Sequence, residues 1–256
     1  GQGTFALDIT NPSKSASGTY PGFNEGNASQ LVLWEFTDAD DADLGYTYGQ
    51  PNIVRMANGK WAAIFGNGLN NTAPDKHIST TGNAVIFIVD IESGALIAKL
   101  DTDRGTEEDP LNMGRPNGIS GVSPIDINGD NIIDYLYAGD LFGNIWKFDV
   151  SSANTTNWKS TFLSGGFPAP LYIAKDDTGN SQPITSRVQV STHPKFKTST
   201  DTMVYFGTGK YLEASDTSTS GETTQSFYGI WDNGSVIPNR TKLLAQTIIE
   251  ERSVTS

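Results

Sequence analysis

The feature that most limits what this chain can fold into is a repeat of short apolar segments. Four of them end in an aspartate: residues 5–8 at Asp8, 86–90 at Asp90, 145–149 at Asp149 and 228–232 at Asp232. Three follow another strand-like segment, at 61–68, 135–140 and 203–209, that closes on Gly-x-Gly or Ala-Gly-Asp. Each of those is preceded by a further candidate, at 52–56, 121–125 and 187–190. A last apolar stretch follows each Asp-terminated segment, at 31–36, 95–100, 158–162 and 243–248. No long segment sustains the i, i+3, i+4, i+7 spacing of an amphipathic helix, so short strands with turns are predicted throughout.

Four strands per period, joined by turns, describe a four-stranded antiparallel meander, which is one blade of a β-propeller. The spacing predicts an all-β chain with blade units at about residues 51–101, 118–163 and 184–249, and a partial one, strands 3 and 4 only, at 4–36. A β-sandwich also accommodates short strands and turns, but the recurring third-strand motif favours the propeller. Three and a half units cannot close a ring of the usual four to eight blades. The expectation is a single partial propeller domain over 1–256, excised from a longer chain, with open terminal sheets. Gly1 in place of an initiator methionine agrees with that. Insertions at 11–29, 70–81, 102–116 and 164–183, rich in Gly, Pro, Asn and Ser, read as rim loops with no strands of their own.

The formal net charge of −12, from 29 acidic and 17 basic residues, repels phosphate backbones and argues against nucleic-acid binding, while favouring divalent cations. The chain has no cysteine, which removes disulfides, thiolate metal sites and cysteine nucleophiles together. No apolar run reaches the ~18 residues of a membrane-spanning helix. Trp34, Trp61, Trp146, Trp158 and Trp231 fall in the strand motifs, where packing between blades is expected of them rather than carbohydrate binding.

One motif carries chemistry: Asp126-Ile127-Asn128-Gly129-Asp130-Asn131-Ile132-Ile133-Asp134. Its oxygen donors at loop positions 1, 3, 5 and 9, with a backbone carbonyl at 7, form the pattern of a hard-cation cage. The candidate ligands are Asp126, Asn128, Asp130, Asp134 and the carbonyl of Ile132. Gly129 and Asn131 suit the tight curl this needs, and Ile133 is expected to point inward as an anchor. Without sulfur or imidazole the set favours calcium over zinc, and an all-protein oxygen cage favours calcium over magnesium. Position 12 is Tyr137 rather than Glu, and position 6 lacks glycine, so this is a calcium loop in a β-hairpin and not an EF-hand. The acidic runs at 38–43 and 107–109 read as solvated turns. His77 and His193, far apart and without a motif, read as surface residues, and no catalytic group is assigned.

Residues 117–149, with 43–51 and 59–68, resemble the PilY/PilC family of type IV pilus biogenesis factors and tip adhesins. The likeness is strong over 1–150 and thinner over 184–232. It implies a quinoprotein-like β-propeller from the C-terminal part of a secreted or cell-surface bacterial protein, with calcium held at Asp126, Asn128, Asp130, Ile132 and Asp134. Calcium occupancy would regulate pilus extension and retraction, twitching motility and surface attachment. Implied partners are pilus components such as minor pilins, and host or surface receptors. Asp103-Arg104-Gly105 has the wrong order for an Arg-Gly-Asp triplet, so an integrin-binding role is unsupported. Three carboxylates without a cation repel one another, and the ion-free loop is expected to open. Two other readings stay open: a quinoprotein-type dehydrogenase, which the missing cysteine pair argues against, and a structural propeller with calcium as a static staple.

Overall fold

The structure is a computed structural model that describes residues 1–195, 201–217 and 224–246. Short apolar runs bounded by turn residues set sixteen strands among them. They are β1 Gly3–Leu7, β2 Val32–Thr37, β3 Asn52–Arg55, β4 Trp61–Gly66, β5 Val85–Asp90, β6 Leu96–Asp101, β7 Ile119–Ile125, β8 Tyr135–Asp140 and β9 Asn144–Asp149. Then follow β10 Lys159–Ser160, β11 Phe162–Ser164, β12 Phe167–Ala169, β13 Tyr172–Ile173, β14 Gln189–Thr192, β15 Thr202–Gly207 and β16 Phe227–Asp232.

All the strand pairs are antiparallel. A first sheet holds β1 and β2, a second holds β3–β4–β5–β6, a third β7–β8–β9–β10 and a fourth β14–β15–β16. Both faces of the middle sheets are apolar, because each packs on two neighbours. Phe36, Trp34, Phe65 and Phe87 fill the layer between the first and second sheets. Ile64, Ile88, Ile119, Leu136 and Trp146 fill the next. Tyr137, Ile145, Val204, Phe206 and Ile230 fill the last.

Glycine at one repeat position permits this stacking. Gly66 in β4 and Gly139 in β8 both lie where the next sheet's lead-in crosses. A Cβ on Gly66 would stand 2.1 Å from the Ile119 carbonyl oxygen, and one on Gly139 2.3 Å from Ile184 Cγ2. The equivalent Gly207 in β15 has nothing within 4 Å, and its cross-strand partner Phe227 is 77% exposed. The matching partners Ile86 and Ile145 are fully buried. The fourth sheet therefore ends in an uncovered face among the described residues.

Two departures from the expected strands have local causes. The segment 158–162 was expected as one outer strand. It breaks instead: β10 pairs with the end of β9, while β13 pairs with its beginning. Between them the chain leaves the sheet as the β11–β12 hairpin, so the 164–183 insertion does carry strands. Its turn is Gly165-Gly166, with φ of 60° and 91°, the pair of positive angles that a two-residue hairpin needs. The outer strand expected at 243–248 does not form over 243–246. There Asn239 accepts the N–H of Thr241 and opens a 3-10 turn at Arg240–Lys242 instead. Residues 247 and 248 lie outside the described residues.

Candidate functional site

The Asp126–Asp134 loop joins β7 to β8. Gly129 and Asn131 take φ of 83° and 65°, which curls the backbone so that its N–H groups point inward at the first aspartate. Asp126 Oδ1 accepts from the N–H of Gly129 at 2.7 Å and of Asp130 at 3.3 Å, and Oδ2 from that of Asn131 at 2.7 Å. Asn128 Oδ1 accepts from Asp130 N–H, Asp130 Oδ1 from Ile132 N–H, and Asp134 Oδ2 from Ile127 N–H. Burial works to raise the Asp126 carboxyl, but the surrounding N–H groups outweigh it and hold it below the usual carboxylate range.

The donor set fits a hard cation: three carboxylates, an amide and a carbonyl within nine residues. Among the described residues, Asp130 Oδ2, Asp134 Oδ1 and the Ile132 carbonyl accept no hydrogen bond. Yet no three Asp, Glu or His side chains among the described residues stand together as a metal ligand set. Both oxygens of Asp126, and one each of Asp130 and Asp134, face backbone N–H groups.

Ile133 is the anchor that was expected, 8% exposed and part of the layer between the second and third sheets. Its N–H donates to the Arg55 carbonyl at 3.0 Å, and it bridges to Met56 at the end of β3. The loop of the third sheet is thus bonded to the second. On the loop's own side, Asp134 N–H donates to the Ile125 carbonyl and Val150 N–H to the Asp134 carbonyl.

The other acidic runs are only partly the solvated turns the sequence suggests: Asp40, Glu107 and Glu108 are exposed, but Asp41, Asp43 and Asp109 are engaged. Lys99 Nζ on β6 reaches Asp41 at 2.7 Å and Asp43 at 2.6 Å, and Ser79 Oγ donates to Asp43. The run ties the loop before β3 to the outer edge of the same sheet. Asp109 is fully buried; it accepts from Arg115 Nε and Nη2 and from the N–H groups of Leu111, Met113 and Arg115. Burial raises its carboxyl, and these donors overcome it, leaving it far below the ordinary range. His77 is exposed, as expected, whereas His193 packs on Trp231 with ring centroids 4.9 Å apart. Trp34, Trp146 and Trp158 are buried between sheets; Trp61 is 55% exposed and does not pack as expected.

Two buried polar knots escaped the sequence reading. Asp140 accepts from the N–H groups of Phe142 and Asn144 and from the side chains of Asn117, Asn144 and Trp146. Between the third and fourth sheets, Asp232 Oδ2 takes Lys147 Nζ at 2.7 Å and the Tyr137 hydroxyl at 2.6 Å. The Asp-x-x-Gly-Asn spacing at 140–144 recurs at 176–180 with the same bonds from Asn180 to Asp176, and that repetition is a signal for the first knot. The second joins residues 85 apart, with no local signal.

With that geometry in place, a family model describes the rest: the PilY1 β-propeller domain matches residues 1–253. The chain belongs to the PilY1 β-propeller family. Its sheets are propeller blades. It is 42% identical over 253 residues to a type IV pilus biogenesis factor PilY1 homolog of Xylella fastidiosa, covering 97% of this chain and 15% of that protein. It is 35% identical over 244 residues to the type IV pilus biogenesis factor PilY1 of Pseudomonas aeruginosa, covering 91% and 18%. The chain therefore spans less than a fifth of these relatives. The crystal structure of the Pseudomonas aeruginosa PilY1 C-terminal domain matches with a TM-score of 0.71 at 34% identity, over 93% of this chain and 46% of that one. No helix among the described residues is long and apolar enough to cross a membrane.

Proposed function

We propose that this chain is a calcium-responsive binding module of a type IV pilus biogenesis protein. Its location is the pilus or cell envelope, and its contacts are pilus components such as minor pilins, with surface receptors beyond them. Support for the pilus assignment comes from the names of its relatives, which are biogenesis factors and not enzymes. The ion would be held by the carboxylates of Asp126, Asp130 and Asp134, the Asn128 amide and the Ile132 carbonyl. It would supply positive charge to a loop with three carboxylates.

The observation that carries the reading is the bond from Ile133 N–H to the Arg55 carbonyl. It makes the geometry of the loop and the packing of two blades one problem, so a change in the loop is felt at the blade interface. An ion at 100 times its dissociation constant stabilises the bound form by about 2.7 kcal/mol, enough to shift a local equilibrium. Pilus extension and retraction, twitching motility and attachment would follow that occupancy. We further propose that the domain is completed by blades outside this chain.

The test is calorimetric titration of calcium into chelator-treated protein and into the Asp130→Ala and Asp134→Ala variants. One site with a dissociation constant in the sensor range of about 10−7–10−5 M, lost in both variants, supports the reading. Absence of both heat and a melting shift in the parent chain rejects it. Affinity too tight for exchange would leave calcium as a static staple.

A further inference from the structure

We propose that a cavity at the opposite end of the blades binds a neutral hydroxylated ring, a saccharide unit. This goes beyond the calcium reading and does not depend on it. The cavity measures about 340 Å3, near the lower end of the roughly 300–1,000 Å3 common for small-ligand sites. It is built from matching parts of three successive blades, namely the lead-in to the innermost strand and the turn after the second strand. Tyr46, Tyr48 and Asn70 come from the second sheet, Arg115 and Phe142 from the third, and Lys210 and Glu213 from the fourth. The calcium loop hangs from the other end of β7.

Three observations select the ligand class. First, the cations are already committed. Arg115 is held on Asp109, and Lys210 Nζ lies 2.9 Å from Glu213 and 3.0 Å from Asp216. Neither calls for an anionic ligand, and the chain's charge of −12 disfavours one. Second, the backbone around the cavity is paired with itself. Tyr46 and Leu69 exchange N–H bonds at 2.7 and 3.1 Å, Leu141 N–H reaches the Gly118 carbonyl, and Gly209 N–H the Pro183 carbonyl. Among the described residues, these bonds occupy backbone that an extended peptide would otherwise pair with.

Third, the groups that remain are aromatic faces and neutral polar atoms. Tyr46 and Tyr48 supply rings, and Tyr48 is 71% exposed; Phe142 closes the wall, buried beneath the Arg115 guanidinium. Among the described residues, no hydrogen bond engages the hydroxyls of the two tyrosines or the side-chain amide of Asn70. Asn70 also takes a φ of 59°, a conformation uncommon outside glycine and concentrated at functional sites. A sugar ring offers apolar C–H faces to the tyrosines and hydroxyls to the amide and phenols, pairing both kinds of group at once.

The experiment is calorimetry of the chain with glucose, galactose, N-acetylglucosamine and their disaccharides, alongside a panel of neutral tetrapeptides. At least one saccharide is expected to bind. Tyr48→Ala should weaken it about tenfold, a loss of about 1.4 kcal/mol. Asn70→Gly, which keeps the positive φ without strain, should weaken it to a lesser but measurable extent. Trp61→Ala, an exposed aromatic at the far end, should leave it unchanged. Silence toward every saccharide overturns the proposal, as does saccharide binding that both cavity variants leave intact. Binding of the tetrapeptides alone would overturn it in favour of a peptide site.

Discussion

Gly139 and Gly207 occupy the same repeat position, yet alanine should act on them with opposite sign. At Gly139 the new Cβ would stand 2.3 Å from Ile184 Cγ2 and 2.7 Å from Ile184 Cβ. Ile184 cannot step aside easily, because its N–H is bonded to the Asp140 carbonyl at 2.9 Å and it bridges to Gly209. Overpacking of this kind costs about 1–3 kcal/mol. Loss of glycine's freedom in the unfolded chain returns about 0.4–1 kcal/mol, leaving a net loss of about 1.3 kcal/mol at mid-range. At Gly207 nothing lies within 4 Å and the backbone is not in the positive-φ region. Only the entropic gain applies there, about 0.4–1 kcal/mol in favour of the fold. At about 2–4 °C per kcal/mol for a chain of this size, the two variants should melt on either side of the parent. Circular dichroism melts and urea midpoints both read this. If Gly207→Ala lost as much as Gly139→Ala, or Gly139→Ala were neutral, the account of blade stacking at this position would be wrong. In a longer chain whose next blade crosses β15, Gly207→Ala should become the destabilising change.

The loop's aspartates should separate in the same way. Asp126→Ala removes the acceptor for three backbone N–H groups and should lower the melting temperature even in chelator, by the ~1–2 kcal/mol of a lost cap. Asp134→Ala removes one such bond and should cost less without calcium than it does with it. Arg115→Ala takes the guanidinium from the buried Asp109 carboxylate but leaves its three backbone N–H donors, and should cost about 1.5–3 kcal/mol in chemical denaturation. Because Asp109's carboxyl is depressed in the fold, its contribution is present above the ordinary aspartate value and lost as pH falls through the lowered one. Arg115→Ala should therefore move acid unfolding to higher pH. Tyr137→Phe leaves Asp232 short of a 2.6 Å donor in a buried site and should cost about 1.5–3 kcal/mol; a loss below 0.5 kcal/mol in urea would show that Lys147 and the Gly234 N–H satisfy that carboxylate without it.

Alternation and turn chemistry suffice to place most of the strands, because a strand's two faces and its bounding glycines are local properties. The segments 86–90, 135–140 and 228–232 could be read directly, as could the curl at Gly129 and Asn131 and the inward anchor at Ile133. Even the Gly165-Gly166 hairpin carried a local signal. What the local sequence lacks is the identity of partners brought in from other blades. Whether Asp41 and Asp43 are solvated depends on Lys99, 58 and 56 residues away; whether Trp61 is covered depends on what lies over the second sheet. Sequence alone determined that Asp126, Asn128, Asp130 and Asp134 share one short loop with calcium's preferred donors. The loop's own backbone N–H groups hold those carboxylates, and only the tertiary structure decided that Ile133 bonds the loop to the neighbouring blade. The reason is that donor type and loop curl are written within nine residues, while the partner of Ile133 lies 78 positions away on another blade and only packing brings it within reach.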